Sequence, residues 1–96
     1  MVGVLEVKVE LSRHFWLRWE RRKGEMLKNG VTPELITEFV ANPDAVMDDP
    51  KHEGREWRVK KVGDRCLRIV VEHRGDKLEV VTAFFDRTLK RRGLCE

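Results

Sequence analysis

Between residues 55 and 85 three strand-like runs, "REWRVKKV", "RCLRIVVEH" and "KLEVVTAFF", follow one another with only Gly63-Asp64 and Gly75-Asp76 between them. Runs rich in Val, Ile, Leu and aromatics, punctuated by glycine turns, read as consecutive strands. They predict an antiparallel meander over residues 55–86. The last run is apolar on both faces at Val80, Val81, Ala83, Phe84 and Phe85, so it is expected to be central or covered on both sides.

Upstream, "VLEVKVEL" puts Leu5, Val7, Val9 and Leu11 on one face and Glu6, Lys8 and Glu10 on the other, which predicts a half-buried edge strand within residues 1–11. Two helices are expected within 12–43. The first opens on Ser12 as cap, buries a stripe of Phe15, Trp19 and Met26, stops at Asn29-Gly30, and carries Gly24 as a candidate interruption. In the second, Thr32 caps, Pro33 takes the first helical position and Val31 staples onto Ile36. The polar link "AVMDDPKHEG" leads into the meander, and 87–96 forms a basic tail. With 96 residues there is room for one core. The fold class expected is α+β: an N-terminal strand, two helices, then a three-stranded antiparallel meander, with the helices on one face of a four-stranded, mostly antiparallel sheet.

Charge narrows the function classes. Charged residues make up 39% of the chain, against roughly 25% in an average globular domain. Lys plus Arg number 20 against 17 acids, a net +3 that permits an anionic partner. No apolar run approaches the length of a membrane span, and the start of the chain lacks the order of a signal peptide. Cys66 and Cys95 show neither metal-ligand spacing nor a disulfide framework, so a reduced, cytoplasmic setting is expected. Nucleophile elbows, phosphate-binding loops and zinc ribbons are absent from the sequence, and Asp44, Asp48, Asp49 and His52 sit on a turn without recognised ligand spacing. Neither metal nor cofactor is expected. Chemistry, if any, falls to basic residues and His, which favours a substrate that supplies its own nucleophile.

The placement of cations in the first hairpin depends on its register, because a one-residue slip exchanges the faces. An odd-length loop around Gly63-Asp64 pairs Trp57 with Ile69 and Val59 with Leu67, leaving Arg58, Lys60, Cys66 and Arg68 together on the face away from the helices. An even loop sets Arg68 beside Val59, costly unless that charge is paired. The odd loop is therefore expected, with the strand cations forming one patch, joined by Arg55, Arg87, Lys90, Arg91 and Arg92 for additive, salt-dependent phosphate contacts. On the first helix His14, Arg18 and Arg22 recur every four residues and so form a second basic stripe. His73 and His52 are expected at the surface.

The stretches "SRHFWLRWERR", "GVTPELITEFVANPDAVMDDP", "RVKKVGDRCLRIVVE" and "LEVVTAFF" resemble small domains related to the RelE/ParE and BrnT toxin superfamily, over roughly residues 12–90. The resemblance implies a toxin-like ribonuclease fold, encoded beside an acidic antitoxin, that cuts RNA, free or on the ribosome, through attack of the ribose 2′-hydroxyl on the adjacent phosphate. Carried over by position, it implies Arg58, Lys60 and Arg68 lining the phosphate site, with His14 and Arg18 at its margin and Thr82 in the floor or the core; His14, Lys60 and Arg68 are then the expected catalytic residues, and Arg18 and Arg58, with Arg87, Lys90 and Arg91 of the basic cluster, the expected RNA-binding residues. The chain departs from that pattern in having no Tyr near its C-terminus and a first helix lengthened by "KGEMLKN". Some members of the superfamily inhibit DNA gyrase instead. A rival expectation is a non-catalytic domain whose basic face binds nucleic acid or an acidic protein. Val70, with Val80 or Val81, is expected to need cover from the tail, a second copy or an antitoxin, which predicts a homodimer or a complex.

Overall fold

The computed structural model describes residues 8–93. Its elements in chain order are β1 (Lys8–Leu11), α1 (Arg13–Lys28), α2 (Pro33–Ala41), β2 (Ala45–Asp48), β3 (Arg55–Val62), β4 (Arg65–Arg74), β5 (Lys77–Phe85) and α3 (Arg87–Arg91). The fold is α+β, with one five-stranded mixed sheet in the order β1-β5-β4-β3-β2. β1 lies at one edge, parallel to β5, with Val9 opposite Leu78 and Leu11 opposite Val80. Leu5 and Val7 fall outside the described residues. The fifth strand, β2, comes from the polar link and pairs antiparallel with β3.

Both long helices begin as their caps dictate. Ser12 Oγ accepts from the Phe15 N–H at 3.0 Å, and Thr32 Oγ1 accepts from the Leu35 N–H at 3.1 Å. α1 runs through Gly24 without a break and ends at Asn29, with Gly30 at φ 77° taking the left-handed step. Phe15, Trp19 and Met26 on α1, and Ile36 and Val40 on α2, pack with Val31 on Leu67, Ile69, Val71, Leu78, Val80 and Ala83. This is the main core. A smaller cluster of Val59, Cys66 and Leu89, joined by Ala45, Met47 and Trp57, lies on the other side of the sheet under α3.

The register of the first hairpin is even, not odd. Val62 pairs with Arg65 across a two-residue Gly63-Asp64 turn, so Trp57 faces Val70, Arg58 faces Ile69, Val59 faces Arg68 and Lys60 faces Leu67. The turn explains this: Gly63 at φ 62° followed by a residue of negative φ has the handedness that lets a two-residue loop match strand twist. Gly75, at φ 61°, repeats the device at the second hairpin, where Arg74 pairs with Lys77. The expected single patch of strand cations therefore divides. Arg58 and Lys60 turn towards the helices, and Arg68 turns away with Cys66.

A shift in register between Val70 and Val71 carries the β4–β5 pairing from Val71↔Val80 to Val70↔Thr82, leaving Val81 as the extra residue. This keeps Val80 and Ala83 both on the helix side and sends Thr82 and Phe84 to the other. Val80 is fully buried and Val70 is 7% exposed within the chain itself, so the argument for an external cover over those valines falls away. The tail that follows β5 is not extended: Asp86 caps α3, its Oδ1 accepting from Thr88 N–H at 2.8 Å and Leu89 N–H at 3.3 Å. Cys66, buried at 2% exposure, is disulfide-bonded, which corrects the expectation of reduced thiols; Cys95 lies outside the described residues. Among the described residues no helix is long and apolar enough to cross a membrane.

Candidate nucleic-acid interface

Arg58 and Lys60 serve the C-terminus of α2. That helix has no basic residue in its last turn, and its final carbonyls carry partial negative charge. Arg58 donates through Nη1 to the Val40 carbonyl at 3.0 Å and through Nε and Nη2 to Glu56, while Lys60 Nζ donates to the Asn42 carbonyl at 3.0 Å and lies over the Phe39 ring. Lys60 also sits 3.6 Å from Asp44, whose other oxygen accepts from the Lys61 N–H. Burial raises the Glu56 carboxyl, but hydrogen bonds and charge from Arg58 and from His73, 3.1 Å away, outweigh it and hold the group below its ordinary 4.5. Both cations are thereby committed to the fold.

Arg68 has a different setting. Its guanidinium carbon lies 4.1 Å from the Trp57 ring centroid and 4.3 Å from that of Phe84, between side chains of the two flanking strands. Its Nη2 is 3.2 Å from Asp86, a carboxylate only 9% exposed, and its Nε is buried without a hydrogen-bond partner. Across Phe84 stands Arg22 of α1, 5.2 Å from the ring, donating through Nη1 to Thr82 Oγ1 at 2.8 Å and to the Ala83 carbonyl at 3.1 Å. The row therefore alternates Trp57, Arg68, Phe84 and Arg22 across β3, β4, β5 and out to α1. Desolvation and then the like charge of Arg18 push the Arg22 guanidinium below its ordinary value, against a smaller opposing effect of Glu25. A cation placed so is stabilised by an arriving anion.

The row opens at one end into a cavity of about 280 Å³ lined by Asp49, Pro50, Lys51, His52, Trp57, Arg68 and Val70. Asp49 shapes the loop between β2 and β3, its Oδ1 accepting from the Lys51 N–H at 2.8 Å and the His52 N–H at 3.3 Å. Burial acts to raise its carboxyl, yet these bonds, a further one from Trp57 and the nearby His52 hold it below its ordinary 3.8. Lys51 and His52 are thus presented beside Arg68 and Trp57.

The structure does not bring His14, Lys60 and Arg68 together. His14 is exposed in the first turn of α1, Lys60 sits at the end of α2, and Arg68 lies on the opposite face of the sheet. Arg18 shares the stripe of Arg22. Arg87, Lys90 and Arg91 are on α3, exposed, around a second cavity. Missed in the sequence were Arg22, Phe84 and His52 as members of one surface; Arg22 was visible one turn beyond Arg18, and Phe84 two residues beyond Thr82. Comparison with known protein families, with curated proteins and with solved structures finds no match. The likeness to the toxin superfamily rests on the quoted sequence motifs alone.

Proposed function

We propose that this chain binds single-stranded RNA along the face that carries Trp57, Arg68, Phe84 and Arg22. The observation behind the reading is the alternation itself: π surfaces suit bases, and guanidinium groups suit both bases and phosphates. Arg18 and Lys51, which have no ion-pair partner among the described residues, add backbone charge at the two ends of the row. Fluorescence anisotropy with a labelled single-stranded oligonucleotide tests it. Phe84→Leu keeps apolar volume and removes the ring that holds Arg68 and Arg22 in the row, so affinity is expected to fall about 5-fold, the scale of roughly 1 kcal/mol of cation–π contact. Equal affinity of Phe84→Leu and the parent chain would refute the assignment.

A second reading, that the chain is a toxin-type endoribonuclease, draws support from His52, which lines the same cavity as Lys51, Arg68 and Trp57. An imidazole there is positioned to take the 2′-hydroxyl proton while the cations offset charge on the phosphate. His52, not His14, is then the base. The test is RNA incubated with the protein and inspected for 2′,3′-cyclic phosphate ends; their absence removes this reading and leaves binding intact, and their persistence in His52→Gln removes His52 as the base.

A further inference from the structure

A second cavity, of about 360 Å³, lies where the β3–β4 turn meets α3, lined by Asp64, Arg65, Cys66, Phe85, Asp86, Arg87, Lys90 and Arg91. Four of these are cations. The two carboxylates do not neutralise them. Asp86 spends its charge on Arg68 and on the N–H groups that open α3. Asp64 is almost wholly exposed, 3.8 Å from Lys90, a pair worth little in water. Arg87 and Arg91 have neither an ion pair nor a hydrogen bond from the side chain among the described residues. Arg65 lies over the Phe85 ring, its guanidinium carbon 4.0 Å from the centroid, and its contact with Glu25 is a loose 3.5 Å. Its guanidinium is thereby held at the wall of the cavity against Phe85.

Concave shape, two guanidinium groups unpaired among the described residues, a lysine and a guanidinium held against a ring suit a compact dianion with a base close by better than they suit a run of singly charged diesters. A phosphomonoester carries about −1.5 to −2 charge near neutrality and offers three acceptor oxygens, which planar guanidinium groups engage two at a time. A part-exposed arginine held against an aromatic ring is a group on which a base can stack. The cavity also adjoins the proposed RNA face, since Asp86 belongs to its wall and is ion-paired to Arg68 of the aromatic row.

We infer that this cavity receives the terminal phosphate of a single-stranded RNA, with the adjacent base against Arg65. The inference rests on the RNA reading of the neighbouring face and adds to it a preference for phosphorylated ends. Binding is measured for one oligonucleotide carrying a 5′-phosphate, a 3′-phosphate or hydroxyls at both ends, and for a hydroxyl-ended strand one nucleotide longer, which supplies an extra diester charge without a monoester. One of the two phosphorylated strands is expected to bind about tenfold tighter than both hydroxyl-ended strands, the scale of a charge-assisted hydrogen bond. In Arg87→Ala/Arg91→Ala that ratio is expected to fall to near one. Equal binding of all four strands by the parent chain, a longer hydroxyl-ended strand that matches the phosphorylated ones, or a ratio that survives the double substitution overturns the inference while the RNA face stands. Failure of every strand to bind overturns both.

Discussion

Glu56 and Arg68 show how a charge on a strand is accommodated in this protein. Glu56 is flanked by Arg58 and His73, and its carboxyl is held below its ordinary 4.5. A group whose folded value is depressed contributes stability above its unfolded value and loses it as pH falls through the folded one. Urea midpoints of the parent chain are therefore expected to fall on acidification below about pH 4.5, and those of Glu56→Gln to fall less steeply from a lower start at neutral pH. Parallel pH profiles of the two proteins would show that the pairing carries no linkage. For Arg68 the larger effect is what removal leaves behind. Asp86 is 9% exposed, and Arg68→Ala strands its charge, so unfolding is expected to become easier by about 3 kcal/mol. A loss under 0.5 kcal/mol would mean that Asp86 is satisfied by α3 alone. The sequence marked Arg68 as a solvated surface cation; its partner, eighteen residues on and beyond the next strand, was not legible because only the register places them together.

At the scale of elements, the chain states its helices and turns locally and its sheet faces only through turn geometry. Ser12, Thr32, Pro33 and Asn29-Gly30 act within a few residues of themselves, and the helices start and stop where those residues put them. The faces of β3 depend instead on the number of residues in one turn. A Gly-Asp pair in which only Gly takes positive φ makes a two-residue loop, and that even count sends Arg58 and Lys60 to α2. β2 was hidden for a different reason: "AVMD" is too short to show alternation, and it forms because β3 offers it an edge. Two outcomes are expected from this account. Gly63→Ala meets no atom within 4 Å, so its cost is backbone strain alone, about 1–2 kcal/mol by denaturant unfolding. Arg58→Ala is expected to cost about 1.5–3 kcal/mol, the range for hydrogen bonds to a charged group, through the freed Val40 carbonyl and the loss of Glu56's main partner. If Arg58→Ala unfolds with the parent midpoint, the cation does not hold the end of α2.

For the molecule as a whole, the even register converts one expected basic patch into two uses of positive charge. Arg58 and Lys60 on the helix side, and Arg68 through Asp86 on the other, stabilise the fold; Arg18 and Lys51 face outward, and they remain to set how the chain meets a polyanion. Net charge cannot separate these roles, but salt dependence can, because each phosphate contact on a single strand contributes about 0.7 to the slope of log affinity against log salt. Arg18→Ala/Arg22→Ala removes two charges from the end of the aromatic row and is expected to flatten that slope by about 1.4. Lys8→Ala/Lys28→Ala removes the same two charges from exposed positions at the β1 edge and the far end of α1, and is expected to leave the slope nearly as it was. Thermal midpoints check that both variants stay folded, with a small decrease allowed for the lost Arg22 bonds to Thr82 and Ala83. If the two double variants flatten the slope equally, the polyanion feels only total charge, and the row of Trp57, Arg68, Phe84 and Arg22 is a structural seam rather than a binding track.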